Sequence, residues 1–181
     1  MTPTQTLKDE HVLIVKMLDI VAVCGERVKQ GDFADLETIL QAADFFKNYA
    51  DGFHHAKEED ILFPLLAGKA NMAAPVRAYT GEHAQGRRFI QNIISAVERI
   101  KGGDRDAGAL LAESIEGYRR MLARHIDKED RGLFPSTDKI LDAAEKSRLL
   151  AEFNRVDQAK GAEADKYRRL VGELARRCGV D

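Results

Sequence analysis

Cysteine is close to absent: Cys24 and Cys178 are the two thiols in 181 residues. Thiols so far apart in the chain make neither a disulfide framework nor a metal knuckle, and read as a small buried hydrophobe and a tail residue. Proline (four residues) and glycine are also sparse, so little interrupts long helices. No charge of one sign dominates. The 28 Lys and Arg against 30 Asp and Glu leave a formal net charge of −2, which removes the electrostatic case for nucleic acid or an anionic membrane as a partner. No run of 18 apolar residues exists, so no segment is expected to span a bilayer. The start, MTPTQTLKDEH, lacks a basic stretch followed by an apolar one, so no secretory signal is expected and the cytoplasm is the default location. Also missing are a Ser or Cys nucleophile beside a base, a phosphate-cradling loop and a basic nucleic-acid surface. The Glu-x-x-His motif of ferritin-type bundles is absent too.

What remains is a sequence built for helices. With 44% hydrophobic and 32% charged side chains over 181 residues, the chain suits one domain with a sizeable core. No segment alternates with period two, whereas apolar residues recur every three or four positions. A first helix is expected from about Thr6 to Lys29, with Val12, Val15, Leu18, Val21 and Ala22 on its apolar stripe. A second spans about Asp35 to Leu66 and a third about Pro75 to Lys101. A fourth runs from about Arg105 to Leu133, where Pro135 closes it, since proline disfavours helix at the residue before it. The Pro-Ser-Thr-Asp stretch then offers a cap for a further helical segment, broken near Glu145. The expected class is all-α: an up-down-up-down four-helix bundle over residues 1–136. A C-terminal helical extension, residues 137–181, packs on the bundle or forms a homodimer contact.

One phrase is written twice. HHAKEEDILFP begins at His54 and HIDKEDRGLFP begins at His125, 71 residues later. Both read His-x-x-Lys-Glu-acid-x-x-Leu-Phe-Pro. A Glu-His dyad precedes each, with His11 43 residues before His54 and His83 42 residues before His125. Two helical hairpins of one design, related by a pseudo-twofold axis, therefore make the bundle.

The spacing brings these residues to one level. His54 and Glu58, like His125 and Glu129, are four apart and share a helix face, about 5–6 Å from each other. Measured from hairpin turns near Asp32, Ala70 and Gly103, the members of facing pairs lie at nearly equal distances along antiparallel neighbours. His11, His54, Glu58, His83, His125 and Glu129 thus fall in one layer. Buried ionised carboxylates without a partner are costly, neutral imidazoles need a use for their lone pairs, and metal cations answer both. Four nitrogens and two carboxylates are too many for one tetrahedral zinc. They suit two octahedral-leaning ions, each with two histidines and with both carboxylates bridging. Mixed imidazole and carboxylate with open positions favours iron over calcium or magnesium, with manganese or zinc as substitutes.

The neighbours of these residues read more plainly. The repeat aligns His55 with Ile126 and so leaves His55 out of the ligand set, although His55 and Glu59 are also four apart. Glu59 and Asp130 sit about 100° around the helix from the carboxylates and read as solvated or salt-bridged. Lys57 and Lys128 recur for no reason legible in the spacing. Leu62, Phe63, Leu133 and Phe134 read as core that also limits water near the metals. Tyr79, four residues before His83, reads as core or as a phenol bonded to a metal-bound oxygen.

On these residues the sequence resembles the hemerythrin-like, or HHE cation-binding, family. The resemblance covers about Leu7 to Pro135 and rests on the two H-x-x-x-E…LFP phrases together with the two Glu-His dyads. It implies a non-haem site of two iron ions, oxo- or hydroxo-bridged, with His11, His54, Glu58, His83, His125 and Glu129 as ligands. The oxygen-carrying hemerythrins use five His, a Glu and an Asp, and four matching His are found here. The set looks closer to the bacterial iron-repair and nitrosative-stress members, which add an N-terminal cysteine-bearing domain where ten residues precede His11. The iron-sensing ubiquitin-ligase members carry further domains. The resemblance therefore implies fold and metal without choosing one physiological role.

Three functions are compatible with such a centre. It can bind or sense oxygen, nitric oxide or iron. It can be a redox enzyme acting on peroxide or in oxidative and nitrosative stress defence, using open metal positions. It can be structural, since gathering ligands contributes folding free energy. The expected small ligand is a diatomic or a peroxide; no residue is assigned as catalytic, and the electron donor is not identified. One histidine fewer than the carriers leaves more exchangeable positions and favours turnover over storage.

Overall fold

The computed structural model describes residues 2–180. Five helical rods follow one another. The first is α1, Pro3–Lys29. The second begins as α2, Leu36–Phe45, passes through two π-helical stretches, Phe46–His55 and Glu58–Leu62, and returns to α-helix as α3, Phe63–Ala67. The third is α4, Ala73–Lys101. The fourth joins α5, Ala107–Lys128, through a π-helical stretch, Glu129–Leu133, to α6, Phe134–Ile140, and the last is α7, Ala143–Cys178. The first four close a bundle in which α1 and α4 each lie against α2 and α5, while α7 runs along α1 and reaches the π-helical parts of the second rod. No helix among the described residues is long and apolar enough to cross a membrane.

The first rod starts where local chemistry says it should. The Thr2 side chain accepts the Gln5 backbone N–H, and Pro3 takes an early position where its missing N–H costs nothing. Its buried face runs through Leu7, His11, Ile14, Leu18, Val21 and Val28. The stripe read from apolar residues alone is rotated from this, because Val12 and Val15 are 71% and 39% exposed. The rotation is set by His11 and Glu10, polar residues that a hydrophobic count leaves out.

Proline does not end the rods. Where the sequence suggests that Pro135 closes the fourth helix, the helix continues to Ile140. The Phe63 N–H bonds to the Glu58 carbonyl and the Phe134 N–H to the Glu129 carbonyl, each five residues back. The ladder has already slipped by one residue before Pro64 and Pro135, so their missing N–H groups fall where it is being reset. The carbonyl of Asp130, five residues before Pro135, is taken by the Lys8 ammonium at 3.0 Å. The real break is at Leu141, whose backbone is extended. Asp142 then caps α7 in a reciprocal box with Glu145. The expected break near Glu145 is therefore the start of one continuous helix.

Two apolar clusters sandwich a polar layer. One holds Ile14, Phe46, Tyr118 and Leu122, with Tyr167 and Val171 from α7. The other holds Leu7, Leu62, Phe63, Phe134 and Phe153. On α1, His11 sits between Leu7 of one and Ile14 of the other. The end of α7 also brings Cys178 to Cys24, both free thiols in the main core. Burial and the neighbouring Cys178 push the Cys24 thiol up to about 12, so it stays protonated and inert at neutral pH. The tail reading of Cys178 is corrected here, since chain separation does not limit which helix ends meet.

Candidate metal centre

All five histidines of the chain converge on that layer with Glu58 and Glu129, and every one of the seven is buried. A bundle helix has two neighbours. The second rod uses both, sending His54 toward His11 of α1 and His55 toward His83 of α4. Its backbone is π-helical there, a distortion common at functional sites.

Each imidazole presents Nδ1 to a carboxylate. His11 bonds Asp130 at 2.9 Å, His54 bonds Glu10 at 2.9 Å, His55 bonds Asp51 at 3.2 Å, His83 bonds Glu59 at 2.6 Å and His125 bonds Glu82 at 2.8 Å. A carboxylate only accepts, so Nδ1 donates, and a neutral ring then carries its lone pair on Nε2. The Nε2 atoms of His11, His54, His83 and His125 point inward and meet in pairs. His11 and His54 are 3.0 Å apart at Nε2, as are His83 and His125. Between the pairs lie the carboxylates, all four of whose oxygens are buried without a hydrogen-bond partner. Glu58 spans the layer, with Oε1 3.7 Å from His54 Nε2 and Oε2 3.5 Å from His83 Nε2. Glu129 Oε2 spans it too, 3.4 Å from His11 and 3.2 Å from His125.

Without metal, protons must hold these groups together. Burial drives His54 well below its ordinary value, with the His11 charge adding to the effect, and burial also lowers His83. Burial opposes charge on His11 and His125 as well, but there it is outweighed. Asp130 and Glu129 hold His11 up to about 9, and Glu129 and Glu82 raise His125. In each facing pair one ring is therefore favoured in the charged form and the other in the neutral form. Burial pushes Glu58 well above the usual carboxylate range, while His125 and His11 overcome burial and hold Glu129 well below it. Orphaned carboxylate oxygens and converging lone pairs are the donor set a cation requires, and native cores rarely leave such atoms unmatched.

The seven residues form two groups that could each surround one ion. His55, Glu58, His83 and His125 make one, and His11, His54, Glu58 and Glu129 make the other, with ligand atoms within 4.8 Å of one another in each. Residues 2–136 match the hemerythrin HHE cation-binding domain. The chain belongs to that family. It is also similar to uncharacterized proteins of Mycobacterium tuberculosis and Mycobacterium bovis, 22% identical over 174 residues, covering 96% of this chain and 68% of each of theirs. No solved structure matches it significantly. For a hemerythrin-type domain, a buried His and Glu cluster at mid-bundle is the expected cation site.

The hemerythrin layer brings together all six residues singled out by the repeat, and adds His55. His55 escaped that reading because its repeat partner is Ile126, and a pseudo-twofold argument finds only what occurs twice. Glu59 and Asp130 are not idle surface acids: each orients the dyad histidine of the other hairpin. Glu10 and Glu82 orient His54 and His125 within their own hairpins, so the Glu of each dyad serves a histidine on a different helix. Lys57 and Lys128 pair with Glu10 and Glu82 in turn, which accounts for their recurrence. Phe134 stacks on His11 at 5.6 Å and Phe63 on His83 at 5.7 Å, so the phenylalanines of the repeated phrase wall the layer. Tyr79 lies edge-on to the His125 ring at 5.5 Å, and the Lys128 ammonium lies 5.2 Å over its ring.

Proposed function

We propose that the chain is a non-haem di-iron protein that binds a small oxidant, oxygen or nitric oxide, reversibly enough to carry or report it. The observation that supports this most is the gathering of five buried histidines around two carboxylates whose four oxygens have no hydrogen-bond partner. In this reading His55, His83 and His125 hold one iron, His11 and His54 hold the other, and Glu58 and Glu129 lie between them. Iron bound there would supply a redox-active Lewis acid. The chain's own part is to fix every imidazole through a carboxylate and to exclude water with Phe63 and Phe134. With His55 in the layer, a shortage of nitrogen ligands no longer favours turnover over reversible binding.

Elemental analysis of aerobically purified protein should find about two irons per chain with the near-ultraviolet absorption of a diferric centre. His54→Ala or Glu129→Ala should lose most of that metal. A stable optical change on adding oxygen or nitric oxide to the reduced protein supports binding. Sustained consumption of peroxide over many turnovers assigns the centre to the redox-enzyme alternative instead. A chain that holds iron equally well without His54 and Glu129 overturns the site.

A further inference from the structure

We propose that Arg87 is the positioning residue that makes His55 a ligand. Its guanidinium binds the two carboxylates, Asp51 and Glu59, that orient His55 and His83, and so directs two imidazoles toward one ion. The proposal rests on the di-iron reading for the ion and on geometry alone for the placing of the rings.

Five residues form a closed circuit. Asp51, His55 and Glu59 follow at intervals of four along the second rod, and His83 and Arg87 stand four apart on α4, so each set shares a helix face. His55 Nδ1 donates to Asp51 Oδ1 at 3.2 Å and His83 Nδ1 donates to Glu59 Oε1 at 2.6 Å. Arg87 Nε lies 2.9 and 3.0 Å from the two Asp51 oxygens. Its Nη2 lies 2.7 Å from Asp51 Oδ1 and 2.8 Å from Glu59 Oε1. The circuit closes where the His55 and His83 rings stack, with centroids 3.8 Å apart and planes 11° from parallel.

The repeat marks part of this circuit as an addition. His54 and His125 set an offset of 71 residues between the second and fourth rods, and His11 and His83 set one of 72 between α1 and α4. At those offsets Asp51 matches Leu122, His55 matches Ile126 and Arg87 matches Val15, whereas Glu59 matches Asp130. Three polar residues thus enter together where the other half has three apolar ones. The extra imidazole comes with its own carboxylate and its own cation. Asp130 orients His11 with no guanidinium hydrogen-bonded to it among the described residues. Glu59 can therefore hold His83 unaided, and Arg87 matters most to Asp51 and His55.

The cation has a defined task. Asp51 and Glu59 bring two like charges together, and repulsion would turn them from the rings without a positive group between them. Guanidinium joins both because its N–H groups form a rigid planar fork, whereas a lysine ammonium is a point charge on a flexible stem. The Arg87 side chain is 40% exposed, so as an ion pair it adds little stability. Its contribution is direction.

Iron binding by the full chain in competition with a chelator, joined to nitrogen NMR of the metal-free imidazoles, tests this. Arg87→Met should weaken one of the two irons by about 10- to 100-fold, the usual effect of losing an orienting partner, and leave the other as in the wild type. Asp51→Leu, which copies the other half, should do the same. Arg87→Lys should not restore the lost affinity. In the metal-free chain, Arg87→Met should cost His55 its single tautomer, with the proton on Nδ1, while His54 keeps its own. Both irons held as in the wild type, both weakened equally as a loosened fold would give, or full rescue by lysine overturns the proposal. The NMR reports separately from the metal. A wild-type chain that takes up no iron overturns the di-iron reading, whereas a His55 tautomer unchanged in Arg87→Met overturns the positioning role.

Discussion

Lys57 and Lys128 stand at the same offset in the repeated phrase, yet methionine should be costly at one and nearly harmless at the other. The Lys57 side chain is 0% exposed. Its ammonium sits between Glu10 and Asp157, 2.5 Å from the latter, and 3.9 Å over the Phe53 ring. Removing it strands the Glu10 carboxylate, which is 5% exposed and which burial already pushes up. Breaking one partner out of a buried pair costs about 3–5 kcal/mol. Lys128 is 40% exposed and Glu82 28%, so solvent screens their pair and its loss costs about 0–1 kcal/mol. Urea denaturation of the metal-free variants should therefore show Lys57→Met less stable than Lys128→Met by about 3 kcal/mol, with the slope m unchanged. Adding Glu10→Gln to Lys57→Met should restore part of the loss, since of the two carboxylates beside the ammonium only Asp157 then remains without it. The same double variant should bind metal about 10- to 100-fold more weakly, because His54 Nδ1 loses the carboxylate that orients it. Equal losses at the two lysines, or a double variant no more stable than Lys57→Met, would refute the account of this triad.

Two further outcomes are expected. His55→Ala should lower iron content from about two per chain toward one, and elemental analysis showing both retained places His55 outside the ligand set. The metal-free protein should be most stable near the ordinary histidine value. Below it, the unfolded chain takes up protons that burial denies to His54, His55 and His83, so stability falls with falling pH. Above it, His11, raised to about 9, contributes stability that is complete below its unfolded value and lost as pH rises through the folded one. The metal-loaded protein should gain stability over that upper range, because neutral imidazoles bind metal better. Parallel denaturation curves for the two forms from pH 6.5 to 9 contradict this.

Several elements were legible without coordinates because their causes are local. Four long rods follow from apolar spacing and sparse proline. The hairpin symmetry follows from a phrase written twice, and the layer from counting residues along antiparallel helices. Other elements failed for equally physical reasons. A Pro135 that ends helices by rule is accommodated by a π-helical slip, which depends on how the neighbouring Glu129 carbonyl is used. The stripe on α1 was misplaced because its buried face is centred on His11.

The sequence by itself determined which donors exist and at what height they stand, since helical rise is a property of the chain. Only the tertiary structure decided which way each donor turns and what it touches. The packing of α1 and α4 on either side of the second rod admits His55, which no repeat could mark. The lie of α7 along α1 buries Lys57 and leaves Lys128 in water. Rotation about a helix axis is set by all the neighbours at once, and no single segment of sequence contains that information.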